Sequence, residues 1–297
     1  MTFNTRPVSS RIKLAAATAL VLALCQTPGL AGQRHMASNL KGDFETARQD
    51  GFDLADVASI AVLESLPDGM KGVFWLGNGY NTECAWRLSD DEVVRQVSAL
   101  AGHPKFSGIY YISDEPHPAK CPDAAARVAE RSELIRSTDT AARTFIIVQN
   151  SSADRTEFAT LKDSADYIGV APYPCNVKNA TTGCDMKALT QRIDEAIAAG
   201  ITPDRIVPVF QLFGQECATT ETPYYRMPSG DELERMLEIW DQRVPPPVRP
   251  FAMAYSWGVQ ERTACPALSQ ADGTSFPDLR EIFSAYMAGR VARLKTE

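Results

Sequence analysis

The sequence predicts an α/β chain folded as a single (β/α)8 TIM barrel, and three observations predict it. Strand-like and helix-like segments alternate along its length. The strand candidates are continuous apolar runs, as parallel strands covered on both faces require. Eight such units fit within residues 32–297, close to the roughly 250 residues usual for this architecture.

Taken in order, HMASNL (35–40) supplies the first strand, with DFETARQ as the helix behind it. Propensity alone marks that strand only weakly. FDLADV (52–57), GVFWLG (72–77), GIYYIS (108–113), TFIIVQ (144–149), YIGVAP (167–172), IVPVFQ (206–211) and FAMAYSW (251–257) are the other seven. SDDEVVRQVSALAG reads as a helix capped by Ser89 and stopped at Gly102. DMKALTQRIDEAIAAG and SGDELERMLEIWDQ follow the same logic, and FPDLREIFSAYMAGRVARLK closes the chain as a helix. VPPPVRP (244–250) is a stiff connector before the last strand rather than a domain linker, and no internal repeat is visible.

Residues 1–31 read as a secretory signal peptide. Arg6, Arg11 and Lys13 precede the apolar run LAAATALVLAL, then a helix-breaking TPG, with Gly29 and Ala31 spaced for cleavage after Ala31. Eleven apolar residues are too few for a stable membrane anchor. Removing that segment takes three of the 30 basic residues and none of the 37 acids, moving the formal net charge from −7 to −10. With no basic patch and no later apolar run of membrane length, nucleic acid and membrane are excluded as partners. The expected product is an exported monomer of residues 32–297.

Six cysteines remain: Cys84, Cys121, Cys175, Cys184, Cys217 and Cys265. An even count in an exported chain points to disulfides. No C-x-x-C motif and no paired histidines occur, so neither a metal nor a cofactor is expected. Every cysteine follows a predicted strand, which puts all six in loops on the C-terminal face of the barrel. Neighbouring or shared loops then give the pairs 84–121, 175–184 and 217–265.

The segment GIYYISDEPHP (108–118) carries the sharpest chemical question. A core strand runs into Asp114 and Glu115, two adjacent acids whose like charges raise one another's pKa. A solvated strand end entering a turn is one account. A reactive acid at the rim of a barrel is the other, because Glu115 falls at the C-terminal tip of the fourth strand.

Architecture and motif together resemble the clan A glycoside hydrolases, in which an acid/base glutamate follows strand four in Asn-Glu-Pro; here the tripeptide is Asp114-Glu115-Pro116. The chain from about residue 40 onward also resembles a group of secreted actinobacterial glycoside-hydrolase-like proteins, through VFWLGN, DEPH, PYPC and AYSW. The resemblance implies Glu115 as general acid, Asp114 as its charged neighbour, and a carbohydrate substrate. Other strand tips suit such a site: Trp75, Asn78 and Tyr80 on strand three, Gln149 and Asn150 on strand five, Tyr173 on strand six. Flat aromatics stack on pyranose faces and amides bind hydroxyls. By resemblance, Trp257 matches the strand-eight tryptophan that floors the sugar site. Ordinary core packing is the competing account for each aromatic, and it is preferred for Trp86 and Trp240.

One departure matters. Clan A places a nucleophilic glutamate at the end of strand seven, where this chain has Gln211. A neutral amide cannot form a glycosyl-enzyme ester. Three readings follow. An inverting enzyme would use another acid as base, with Glu216, Glu83 and Asp114 as candidates; Asp114 is disfavoured because adjacent residues project differently. A substrate-assisted route would resemble chitinases through Glu115, Tyr173 and Trp257, yet their Asp-x-Glu pattern needs an acid where Ser113 stands. The third reading is a catalytically inactive, carbohydrate-binding barrel.

Overall fold

Eight parallel strands close on one another in chain order, β1 pairing with β8. The structure is a computed structural model that describes residues 1–2, 33–153, 155–220, 222–271, 276 and 278–289. The expected signal peptide therefore lies outside the described residues apart from Met1 and Thr2. The strands are β1 (His35–Ala37), β2 (Leu54–Val57), β3 (Lys71–Trp75), β4 (Phe106–Asp114), β5 (Arg143–Val148), β6 (Tyr167–Val170), β7 (Ile206–Gln211) and β8 (Ala252–Tyr255). A helix follows each: α1 (Phe44–Asp50), α2 (Ile60–Ser65), α3 (Asp90–Leu100), α4 (Ala124–Thr138), α5 (Glu157–Leu161), α6 (Met186–Ala198), α7 (Gly230–Arg243) and α8 (Leu279–Met287). No described helix is long and apolar enough to cross a membrane.

Local chemistry sets the helix starts. Ser89 and Ser229 each close a reciprocal capping box, with Glu92 and Glu232 respectively, which satisfies backbone N–H groups otherwise left bare. The weak first strand exists because the barrel needs it. His35–Ala37 pairs on both sides, with β2 and β8, so tertiary pairing overrides poor propensity.

Strand alternation divides the core into two layers. Outward residues such as Ala55, Tyr110, Ile112, Ile146 and Phe210 pack against the helices. Inward residues such as Leu54, Val73, Tyr111, Phe145, Val209 and Phe251 fill the barrel. Inside, Phe145 lies 4.8 Å from Tyr111 and 5.3 Å from Phe251 between ring centroids. Each such buried ring stabilises the fold by roughly 1.5–3 kcal/mol. This filling explains Gly169 on β6, where a Cβ would fall 2.8 Å from Ile147 and 2.9 Å from Phe145. The barrel is thus plugged by side chains below its C-terminal rim.

Three disulfides join Cys84 to Cys121, Cys175 to Cys184 and Cys217 to Cys265. All three tie loops that follow strands, on the C-terminal face.

Candidate active site

A cleft of about 960 Å³ opens at the C-terminal ends of the strands. Asp114 and Glu115 from the tip of β4 line it together with Tyr111 and Trp75. Gln149 comes from beyond β5, and Tyr173, Phe213, Tyr225 and Tyr255 form the wall on the side of β6, β7 and β8. Ser38, Asn39 and Asp56 continue the rim from β8 round to β1 and β2.

Two backbone features bring adjacent acids into one space. On β4, Ile109 and Tyr111 face inward and Tyr110 and Ile112 outward, so strict alternation would turn Ser113 in and Asp114 out. The register with β5 slips by one residue between Tyr111 and Ser113. A bulge of this kind reverses the parity beyond it. Asp114 consequently pairs with the inward Ile147, and its backbone N–H donates to Asn78 Oδ1 at 3.0 Å. Glu115 then adopts φ +57°, a left-handed conformation costing a non-glycine residue roughly 1 kcal/mol. Its N–H donates to Ile147 O at 3.0 Å, and that of His117 to Tyr80 O at 2.7 Å, which hold the turn. Both acids expected at the site thus line one cleft, although adjacent residues of an unbroken strand project to opposite faces.

The pair is electrostatically unequal. Burial raises the Asp114 carboxyl above its usual range, while the Tyr111 hydroxyl, donating to Asp114 Oδ1 at 2.7 Å, opposes that rise. Glu115 is pushed up to about 7, first by burial and then by the Asp114 charge, with the Gln149 side chain hydrogen-bonding against the shift. Of the two, it is Glu115 whose carboxyl the neighbouring charge helps to raise.

Facing these acids is a contiguous aromatic wall. Tyr173 stacks on Tyr255 with centroids 5.8 Å apart and planes at 22°. Phe213 packs edge-on against Tyr173 and Tyr255, both at 5.1 Å, and Tyr225 lies 5.5 Å from Tyr173. On the near side Trp75 sits 4.5 Å from Tyr111. A polar pair between flat apolar surfaces suits a ligand with both hydroxyls and apolar faces.

The sequence-predicted residues divide into two sets. Asp114, Glu115, Trp75, Gln149 and Tyr173 share the cleft. Asn78, Tyr80 and Asn150 support its frame instead. Asn78 Oδ1 accepts from Gly79 and Asp114, Tyr80 is buried against Trp86 at 5.2 Å, and Asn150 links the N–H of Phe158 to Glu195. Gln211 is buried and fully engaged: Oε1 accepts from Cys175 N at 2.9 Å, and Nε2 donates to the carbonyls of Cys175 and Arg226 at 2.8 and 3.1 Å. Trp257 is placed away from the cleft, in the layer between strands and helices, with Nε1 donating to Asp50 at 2.9 Å. Because β8 ends at Tyr255 and the chain turns there, the inward position belongs to Tyr255. Neither loop acid reaches the cleft either: Glu83 is exposed, and exposed Glu216 accepts from Met227 N at 3.0 Å.

Sequence reasoning passed over Asp56, Phe213 and Tyr255. One signal was present for Asp56 in FDLADV, since alternation that buries Leu54 inside the barrel also turns residue 56 inward. Asp56 Oδ2 accepts from Asn39 N at 3.1 Å, while Oδ1 is buried without a hydrogen-bond partner. Burial pushes this carboxyl up to about 6, against the hydrogen bonds from the N–H groups of Asn39 and Leu40.

No protein-family model and no curated protein sequence matches this chain. Several solved structures do match in fold. The C-terminal domain of a candidate chitinase from Desulfitobacterium hafniense superposes with a TM-score of 0.54 at 9% identity, covering 88% of this chain and 100% of that one. A β-D-glucuronidase from Dictyoglomus thermophilum gives 0.53 at 11% identity over 89% of this chain and 50% of the other. Bacteroides uniformis β-glucuronidase 2, covalently bound to cyclophellitol-6-carboxylate aziridine, gives 0.51 at 12% identity over 83% and 32%. The chain thus spans half or less of these two glucuronidases. What is shared is the (β/α)8 barrel, the fold of these glycoside-hydrolase neighbours.

Proposed function

We propose that this protein is an exported glycoside hydrolase acting on a polysaccharide or glycoconjugate, with Glu115 as general acid. One observation carries the reading: two adjacent acids, Asp114 and Glu115, line an aromatic-walled cleft at the C-terminal face of the barrel, where burial and the Asp114 charge push the Glu115 carboxyl up to about 7. In the reaction Glu115 gives its proton to the glycosidic oxygen as the bond to the anomeric carbon breaks. Asp114 keeps that proton on Glu115 by its charge, and Trp75 and the Tyr173–Tyr255 stack hold the sugar rings. Three disulfides support export into an oxidising compartment. The narrower resemblance to secreted actinobacterial glycoside-hydrolase-like proteins belongs to this reading too.

The arrangement disfavours a double displacement through strand seven, because Gln211 is both neutral and committed to backbone partners. That same observation favours a second reading, a barrel that binds glycans without cleaving them. Incubation with a panel of oligosaccharides, scored for new reducing ends, separates the two. Release by the wild-type protein, abolished in Glu115→Gln with binding retained, is expected. Binding without release by wild-type protein overturns the hydrolase.

A further inference from the structure

We propose that the leaving group of the substrate is an apolar alkyl chain rather than a second sugar, and that it lies in the arm of the cleft formed by the segments after β1 and β2. The inference rests on the hydrolase reading above and narrows its substrate to a glycoconjugate. Hydrolysis then adds one water across the glycosidic bond, giving the free sugar and a long-chain alcohol.

The cleft has two chemically different ends. Around Asp114 and Glu115 its walls are flat rings, with the amides of Gln149 and Gln260 among them. Trp75 stands at the end of β3, between β2 and β4, and beyond it the lining changes. Leu40, Phe44, Val57, Ala58 and Val62 line this arm, and Phe44 is its one ring. Val62 and Ser65 sit one turn apart on α2, so both present to the same side. Val62 is 36% exposed. Apolar side chains left wet inside a cleft gain free energy when an apolar ligand covers them.

A sugar would find little to bind there, because each neutral polar side chain of the arm already donates within the protein. Ser38 Oγ donates to Ala254 O at 2.8 Å, Asn39 Nδ2 to Ser256 Oγ at 2.8 Å, and Ser65 Oγ to Val62 O at 2.7 Å. Asp56 Oδ2 is engaged by Asn39 N at 3.1 Å, and Lys41 is exposed, with its ammonium free to stay in water. Sugar hydroxyls brought onto this surface would lose water without replacement, whereas an alkyl chain has no hydrogen bonds to lose.

The probes are matched methyl and octyl glycosides of glucose, galactose, xylose, mannose, N-acetylglucosamine and glucuronic acid, in both anomers and below micellar concentration. Released sugar is the readout. Methanol and octanol are comparable leaving groups, so the ratio of the pair reads contacts with the chain. Each methylene taken out of water is worth about fourfold, and three of them predict an octyl-to-methyl ratio in kcat/KM of about fifty. Val62→Asp, at an exposed position that spares the core, should cut that ratio at least about fivefold, and Val62→Leu should keep it. Cleavage with a wild-type ratio under about three, or a ratio unchanged in Val62→Asp, overturns the alkyl assignment and leaves the hydrolase standing. Octyl glycosides that bind by calorimetry, lose affinity in Val62→Asp and are never cleaved overturn the hydrolase and with it the leaving-group role. Neither cleavage nor octyl binding overturns both.

Discussion

Tyr111 donates its hydroxyl to Asp114 Oδ1 at 2.7 Å although the two stand at positions i and i+3 of one strand. Ordinary alternation would put them on opposite faces; the bulge between Tyr111 and Ser113 puts them on one. That hydrogen bond favours the ionised form of Asp114 against burial, and the charge it maintains helps keep the proton on Glu115. Tyr111→Phe should therefore let the proton move toward Asp114, and Glu115 should ionise at lower pH. The expected result is an alkaline limb of kcat/KM displaced to lower pH. A limb that stays in place or moves upward sinks the account.

Glu115 should cost stability at the pH where it works. Its pKa rises from 4.5 when unfolded to about 7, so the folded state binds the extra proton between those values. Stability relative to an unperturbed carboxyl is full below about pH 4.5 and is lost as pH rises toward 7. Glu115→Gln removes the titration. Urea unfolding should find the variant more stable than wild type by about 1–3 kcal/mol at pH 8, with the difference falling away at pH 4. Equal stability of the two proteins at pH 8 contradicts the buried-acid picture.

Trp257 and Tyr255 should separate packing from binding. Trp257→Phe deletes the donor to Asp50, at a cost of about 1–2 kcal/mol in thermal unfolding, and glycan affinity measured by titration calorimetry should not change. Tyr255→Ala should weaken the same glycan at least about tenfold, because its ring faces the cleft against Tyr173. The reverse pattern would return the sugar floor to Trp257.

The Cys217–Cys265 bridge spans 48 residues and joins the loops after β7 and β8. Closing a loop of that length limits the unfolded chain, so the double change to serine should cost about 2–4 kcal/mol. Chemical denaturation of the two forms checks it; a difference under about 1 kcal/mol is the contrary outcome.

Much of the scaffold was legible because parallel barrel strands are covered on both faces and read as unbroken apolar runs. IVPVFQ (206–211) coincides with β7, and the disulfide partners follow from which loops neighbour which in a closed ring. Strand tips were harder. Trp257 and Tyr255 share the same alternation in FAMAYSW, and only the point where the chain leaves the sheet decides which ring meets the cleft. Gln211 was rightly placed along the chain, but its hydrogen bonds depend on Cys175 arriving from the loop after β6 and on Arg226 folding back from further along the loop after β7.

From composition and pattern alone came the closed alternation of strands and helices, the cysteine frame, and an acid at the end of the fourth strand. Burial of apolar runs and chain order are local or nearest-neighbour properties, so a linear sequence carries them. Tertiary structure alone turned Asp114 and Glu115 into one cavity. A one-residue slip in pairing and one positive φ set those directions, and both arise from contacts with neighbouring strands.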